Sequence, residues 1–219
     1  MVRETVHSQA LAFPRRFPHT GGMKKTALVA MVVLCARVAA AAAADEKPVT
    51  IGTDIGQHVP AFTAPAVDVA ATPAKTTEFD SQKTKHVTAY VFVGVTCPAT
   101  NAYVDRFKQL EQQYGPKGVD FIYMYPNSND TTDAKLAFHK EKGLTGRLID
   151  DQGAKLARLF KAQRTSELFL VNQQRIVVYH GAVDDSRDPN GVKQRYLATA
   201  LDALLQGKPI EVATTQVFA

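Results

Sequence analysis

The feature that most constrains this chain is a valine-rich run at residues 87–95, which leads through Thr96-Cys97-Pro98 into an amphipathic pattern. Apolar side chains fall on both alternating faces of the run, as in a strand that is covered on both sides within a mostly parallel sheet. Beyond Pro98, large apolar residues recur at spacings of four, three and four, at Tyr103, Phe107, Leu110 and Tyr114. Such spacing marks one stripe of a helix. The sequence therefore predicts a buried strand followed at once by a helix.

Cys97 is predicted to lie at or next to the N-cap of this helix. Pro98 suits the first helical position, because its missing N–H group costs nothing there. Free backbone amides and the positive end of the helix dipole then lie beside the sulfur. A thiol in such a place is biased toward thiolate, its reactive form. The hypothesis is that Cys97 is a redox nucleophile; the alternative is a buried, inert structural thiol.

The charge of the chain is unevenly distributed. Residues 1–44 hold six of the 26 basic residues and one of the 21 acidic residues, which leaves 20 of each in the remainder. The net charge of +5 therefore belongs to the N-terminal segment. An electrically balanced body argues against nucleic acid as a partner.

Residues 1–44 are predicted to be a leader that contains a signal peptide, with Met23 as the true start. A charged beginning at Met23 precedes an apolar run at 27–38 and then small residues at 39–44, as a signal peptidase requires. The run is too short for a comfortable membrane span, which needs about 20 residues. We therefore expect an exported protein, periplasmic or extracellular, with no stable membrane association after cleavage. An uncleaved N-terminal anchor is the alternative.

The chain has two cysteines, and cleavage of the leader is expected to separate them. Cys35 lies in the apolar run of the leader and would leave with it. The exported body would then hold Cys97 alone and could form no internal disulfide. A lone thiol in an oxidising compartment is either buried or kept for its reactivity.

The body is predicted to form one α/β domain at 45–207 and an extended C-terminal tail at 208–219. Residues 48–81 are rich in Thr, Ala, Pro and Gly and predict edge strands and loops. From the central strand onward, the predicted order of elements is β-α-β-α-β-α-β-β-α. The last two strands flank a short polar gap at 172–175, which predicts an antiparallel hairpin.

Two further expectations concern acidic residues in loops. Asp130 ends a polar loop and is the predicted N-cap of a helix at 132–142. Asp184 and Asp185 are adjacent on another polar loop. Adjacent carboxylates on a loop are expected to be solvated, so no paired catalytic role is assigned to them.

Five segments together resemble the thioredoxin fold, and within it the redoxins of the alkyl hydroperoxide reductase / thiol-specific antioxidant (AhpC/TSA) family. The matching segments are GQHVPAF at 56–62, YVFVGVTCPATNAYVDRF around Cys97, YGPKGVDFIYMYPNSND at 114–130, RTSELFLVNQQRIVVYHGAVDD at 164–185 and LDALLQGKPIEVATT at 201–215. The resemblance implies a thioredoxin-like α/β domain with a central mixed sheet flanked by helices. It also implies a peroxiredoxin-like antioxidant oxidoreductase of cell redox homeostasis, whose Cys97 reduces peroxides or exchanges protein disulfides with the help of an external thiol reductant.

The chain also departs from the patterns of this family. Thr100 stands where thioredoxin-like oxidoreductases carry a second cysteine, and Gly94 and Tyr90 stand where peroxiredoxins carry Thr and Pro. Ser166 takes the position of the family's cis-proline, so we expect a trans peptide bond before it and an altered loop facing Cys97. The tail shows no cysteine of the kind that similar redoxins place near its end, so either the resolving thiol is absent or the sequence stops just before it. The missing second cysteine, cis-proline and peroxiredoxin Thr keep a second hypothesis open, a non-catalytic binding or structural module.

Two roles are open for each candidate site residue other than Cys97. Thr96 and Thr100 either hydrogen-bond the sulfur or an incoming oxidant, or simply cap the helix. Arg164, just before the strand expected beside Cys97, either stabilises a thiolate or bound peroxide or is a solvated loop cation. Glu167, next to Ser166, is either a proton acceptor near the sulfur or an exposed glutamate without a role in the chemistry.

No metal or cofactor is expected. The four histidines of the body are scattered without ligand spacing such as a helical i, i+4 pair, at His58, His86, His139 and His180. The sequence also has no Gly-rich phosphate-binding loop and no Gly-x-Ser-x-Gly motif.

Overall fold

The computed structural model of the chain describes residues 52–69, 71 and 73–217. The predicted leader at 1–44, its signal peptide and Cys35 lie outside these residues. Among the described residues, no helix is both long enough and apolar enough to cross a membrane.

The strand predicted before Cys97 is an inner strand of a seven-stranded sheet in the described part of the chain. The strands are β1 Thr63–Asp68, β2 Lys75–Asp80, β3 Val87–Phe92, β4 Val119–Tyr125, β5 Arg147–Asp150, β6 Leu168–Val171 and β7 Val177–Gly181. They lie in the order β2-β1-β5-β4-β3-β6-β7. The β3–β4 and β4–β5 pairs are parallel and the others antiparallel, so the sheet is mixed, as predicted.

All six residues of β3 are buried, because helices or loops cover the sheet on both faces. The helices are α1 Pro98–Tyr114, α2 Thr132–Glu141, α3 Lys155–Phe160 and α4 Tyr196–Leu205. One core cluster joins one face of β3 to side chains of α1, α2 and α4, and a second joins the other face to α3. The apolar residues on both faces of this strand thus match its position in the middle of the sheet.

Helix α1 begins where the sequence predicts. Pro98 is its first residue, Cys97 is its N-cap, and the whole predicted stripe from Tyr103 to Tyr114 is buried. The helix ends at the predicted Gly-Pro-Lys-Gly break, where Gly118 adopts a left-handed φ of 83°. The predicted hairpin of β6 and β7 is also confirmed.

The N-terminal part of the body forms more regular structure than predicted. β1 and β2 make an antiparallel hairpin, of which β2 lies at the sheet edge while β1 also pairs with β5. The C-terminal tail is hydrogen-bonded to the sheet. The His180 amide donates to the carbonyl of Ala213, and the Thr215 amide donates to the carbonyl of His180. The tail therefore lies beside β7.

The predicted N-cap is wrong, and the prediction of solvated carboxylates is wrong for Asp184, whereas Asp185 is partly exposed. The N-cap of α2 is Thr131, whose hydroxyl accepts from the Ala134 amide at 3.2 Å. Asp184 is only 2% exposed, and both of its carboxylate oxygens accept from one Nη of Arg106, at 2.8 and 2.7 Å. Local sequence could not show this, because Arg106 is 78 residues away on α1.

Candidate thiol site

Cys97 is the free cysteine of the described residues, and its side chain is half-buried at the N-terminus of α1. Its backbone is extended, with φ −75° and ψ 122°, as an N-cap residue requires. Its Sγ lies 2.8 Å from the Oγ1 of Thr165, in the loop before β6. The cysteine is thus partly exposed, and its sulfur contacts a hydroxyl group of the loop before β6.

A second hydroxyl comes from Thr100, one turn into the helix. Thr100 is fully buried, and its Oγ1 accepts from the amide of Gly94 at 3.1 Å. That contact uses a lone pair of the hydroxyl and leaves its proton free to donate to Cys97. The candidate role of Thr100 as a donor to the sulfur is therefore compatible with its contacts.

These surroundings favour the thiolate of Cys97. Burial raises the pKa of the thiol, but it is outweighed by the hydroxyl of Thr165, the amides of Thr100 and Ala99, and the hydroxyl of Thr100, which together lower it. The sulfur makes no capping hydrogen bond to the helix, so these amides act through their attraction for negative charge. The thiol is therefore more acidic than an ordinary cysteine.

Side-chain hydrogen bonds fix the turn that carries Cys97 on both sides. The Asn101 side-chain amide donates to the carbonyls of Cys97 at 3.0 Å and Val95 at 3.3 Å. The Val95 amide donates to the carboxylate of Asp130 at 3.2 Å. Asp130, predicted as a helix cap, thus holds the turn before the cysteine instead.

The loop facing Cys97 has an unusual backbone at Ser166. Its φ is +65°, in the left-handed region that costs a non-glycine residue about 1–3 kcal/mol. Two hydrogen bonds to β3 hold it there: the Ser166 amide donates to the Phe92 carbonyl at 2.6 Å, and the Phe92 amide donates to the Glu167 carbonyl at 2.9 Å. A proline cannot adopt a positive φ. The loop is altered from the family's cis-proline form, as expected, while the isomer of the peptide bond before Ser166 stays a prediction.

Gly94 allows the two sides of the site to approach. A Cβ atom at this position would lie 3.4 Å from Cβ of Cys97 and 3.5 Å from the methyl group of Thr165. A methyl group fits at such distances, but a branched side chain would extend into the contact between Cys97 and Thr165. The threonine that peroxiredoxins carry at this position would therefore compete with Thr165 for the space beside the sulfur.

The other predicted site residues differ in how far they are exposed to solvent. Thr96 and Pro98 are exposed on either side of Cys97, and Arg164 is exposed at the start of the facing loop. Ser166 is buried, and its hydroxyl has no hydrogen-bond partner. Glu167 is buried and engaged with other groups, described below.

Sequence reasoning missed Thr165, whose hydroxyl touches the sulfur. The available signal was its place directly before Ser166, the residue aligned with the cis-proline that faces the active cysteine in similar redoxins. Contact with the sulfur depends on the antiparallel pairing of β6 with β3, which brings the loop before β6 beside the end of β3.

Within the described residues, no group of three His, Cys, Asp or Glu side chains is arranged to hold a metal ion. His139 is fully buried instead, between the Tyr125 hydroxyl at 2.9 Å from Nδ1 and the Gly146 carbonyl at 2.9 Å from Nε2. Its imidazole is a core hydrogen-bonding group.

The profile of the Redoxin family matches residues 54–196, which is most of the body and includes the whole thiol site. The chain belongs to the Redoxin family. A redoxin match over this range identifies a thiol-oxidoreductase-like fold, with Cys97 at the strand-to-helix turn.

Solved structures of similar fold include an uncharacterized conserved protein from Geobacillus kaustophilus, with 24% identity over 75% of this chain and 89% of that chain and a TM-score of 0.65. A putative thiol:disulfide interchange protein DsbE from Chlorobium tepidum is 18% identical over 70% of this redoxin and 99% of that chain, with a TM-score of 0.56. The reduced 2-Cys peroxiredoxin of Plasmodium vivax is 15% identical over 69% and 82%, with a TM-score of 0.52. At these identities the likeness concerns the fold. No curated protein matches the chain.

Proposed function

We propose that this redoxin is an exported antioxidant oxidoreductase of the AhpC/TSA type that reduces peroxides with Cys97 as its single redox nucleophile. The observation that carries the proposal is the half-buried Sγ of Cys97 at the N-terminus of α1, 2.8 Å from the hydroxyl of Thr165. Since the thiolate is the nucleophile, the lowered pKa of Cys97 favours the reaction.

In the first step, the thiolate of Cys97 attacks the terminal oxygen of a peroxide ROOH. A sulfur–oxygen bond forms, the O–O bond breaks, and the alkoxide leaving group takes a proton from solvent to give ROH. Cys97 is oxidised to sulfenic acid, and the peroxide is reduced. Thr165 and Thr100 hold the thiolate before the attack, and both hydroxyls remain available to the sulfenic acid formed.

In the second step, an external thiol R′SH reduces the sulfenic acid. Its sulfur bonds to the sulfur of Cys97 and water leaves, so a mixed disulfide forms; a second R′SH then releases the Cys97 thiol and R′SSR′. The described residues hold no other cysteine to perform this step within the chain. The proposal therefore assigns this reduction to a separate thiol molecule.

The proposal is tested by treating the full chain with hydrogen peroxide in the presence of a sulfenic-acid trap. The Cys35→Ser variant is expected to gain one trap adduct on Cys97, located by peptide mass, and the matched Cys97→Ser variant is expected to gain none on residue 97. The absence of an adduct on Cys97 in the Cys35→Ser variant would refute peroxide reduction. In that case, partners linked to Cys97 under non-reducing conditions would identify disulfide exchange, and their absence would leave the non-catalytic module.

The proposed export is tested separately. If the leader is a signal peptide, the mature protein recovered from the exported fraction of a bacterial host begins after Ala44, or within the small-residue run just before it. Recovery of an unprocessed chain only from the cytoplasm would contradict export without affecting the thiol chemistry.

A further inference from the structure

We propose that Glu167 is a positioning residue, which orders the loop before β6 so that the Thr165 hydroxyl lies on the sulfur of Cys97. This inference rests on the proposed function only in giving Cys97 a working thiolate. It assigns Glu167 a role different from that of a proton acceptor at the sulfur. The chain of contacts runs from the carboxylate of Glu167 through the loop backbone to Thr165.

The carboxylate of Glu167 is engaged on both oxygens. Its Oε2 accepts from two consecutive backbone amides, those of Gln163 at 2.7 Å and Arg164 at 3.0 Å. Its Oε1 lies 2.6 Å from Nε2 of His180, which donates to it. The Glu167 side chain is 7% exposed, so these three contacts replace water as its hydrogen-bond partners.

Glu167 remains ionised in this setting. Burial raises the pKa of its carboxyl, but the hydrogen bonds from His180 and from the amides of Gln163 and Arg164 outweigh it, and the pKa falls below its ordinary value. A carboxylate held in this state is a poor proton acceptor. It is well suited to binding two amide N–H groups, because charge-assisted hydrogen bonds are stronger than neutral ones.

Thr165 lies between two fixed points of this loop. On one side, the amide of Arg164 is bound to the Glu167 carboxylate; on the other, the amide of Ser166 is bound to Phe92 in β3. Ser166 is held at a φ of +65°, which an unconstrained loop would leave. With both neighbours fixed, the Oγ1 of Thr165 is confined to its position 2.8 Å from the sulfur.

His180 gives Glu167 a rigid partner on the neighbouring strand β7. Its ring stacks on Phe169 with centroids 4.1 Å apart and an interplanar angle of 11°. Its backbone pairs with Ala213 and Thr215 of the tail. Its orientation is thus fixed by the sheet and the tail, and the Glu167 carboxylate is fixed in turn.

The test measures the pH profile of Cys97 alkylation by iodoacetamide, so it does not require any reaction with peroxide. All proteins carry Cys35→Ser, which leaves Cys97 as the single thiol of the full chain. Glu167→Ala is made in the protein that keeps Thr165 (the Thr165 background) and again in the protein that carries Thr165→Val (the Thr165→Val background). If Glu167 acts through Thr165, the two substitutions are strongly non-additive.

In the Thr165 background, Glu167→Ala is expected to slow alkylation below the thiol pKa by up to about threefold, the effect worked out in the Discussion for loss of the Thr165 hydroxyl. In the Thr165→Val background, it is expected to change the profile no further. An unchanged profile in the first background, or an equal loss in both, would overturn the proposal. If Glu167→Ala does not fold, Glu167→Gln is read by the same criteria.

Glu111 provides a matched control elsewhere in the fold. It is also a buried carboxylate that binds two consecutive amides, those of Thr145 and Gly146. It lies on α1, 14 residues beyond Cys97, which corresponds to about 21 Å along a helix. Glu111→Gln should leave the alkylation profile of Cys97 unchanged; a change equal to that of Glu167→Gln would count against a specific positioning role.

Discussion

The hydrogen bond between Thr165 and the sulfur of Cys97 is open to a test by one isosteric substitution. Thr165→Val replaces the hydroxyl by a methyl group and keeps both the size of the side chain and the methyl group that approaches Gly94. The change therefore removes the 2.8 Å contact with Sγ without opening a cavity. Thr165→Ser is the matched control, since it keeps the hydroxyl and loses the methyl group.

The expected magnitude follows from the energy of a hydrogen bond to a charged acceptor, about 1.5–3 kcal/mol. Because Cys97 is half-buried and sulfur is a diffuse acceptor, the lower end applies. About 1.4 kcal/mol makes the thiolate fraction of the variant about tenfold smaller than that of the parent at a pH below the pKa of both proteins. A more basic thiolate is also more nucleophilic, with a Brønsted slope of about 0.4–0.5, and this restores about threefold.

Thr165→Val should therefore react about threefold more slowly than the parent at acid pH and about threefold faster at alkaline pH, where both thiols are ionised. The two profiles of alkylation rate against pH are expected to cross, and the profile of Thr165→Ser should stay near the parent. All are measured with iodoacetamide in the Cys35→Ser protein. Parallel or superimposed profiles for Thr165→Val would refute the idea that this hydroxyl stabilises the thiolate.

Three predictions concern stability, each measured as the free energy of unfolding in urea. Ser166→Pro is expected to cost about 3 kcal/mol or more, because proline cannot adopt the positive φ of this residue and loses its amide bond to β3, whereas Ser166→Gly should be neutral or stabilising. Equal effects of the two would argue against the left-handed backbone. Asp184→Ala should cost about 3 kcal/mol, because the mostly buried Arg106 guanidinium loses its carboxylate partner and keeps only its hydrogen bonds to the carbonyls of Ala102, Ser186 and Arg187. Adding Arg106→Met should recover part of this loss; a single variant as stable as the parent would show that the pair is not buried in solution. For His139, burial lowers the pKa of the imidazole from its ordinary value of 6.5. Between the two pKa values, the unfolded chain binds a proton that the folded chain does not. The contribution of His139 to the free energy of unfolding is therefore complete above pH 6.5 and is lost as the pH falls through the lower folded pKa. Replacing His139 by Gln should flatten the fall in the free energy of unfolding below pH 6.5 relative to the parent, and an unchanged slope would refute a neutral buried imidazole.

The elements around Cys97 were determined by the local sequence alone. Apolar residues on both faces define β3, a stripe at helical spacing defines α1, and Pro98 sets the helix start so that Cys97 becomes its N-cap. These signals act between near neighbours in the chain, and each was found where it was predicted.

The chemistry at the sulfur was decided by tertiary structure. Thr165 is 68 residues from Cys97, and it reaches the sulfur only because β6 pairs antiparallel with β3. The left-handed backbone of Ser166 is held by hydrogen bonds to β3, and Glu167 finds its partner on β7. No period or propensity encodes such contacts, since they form between segments that meet only when the sheet assembles.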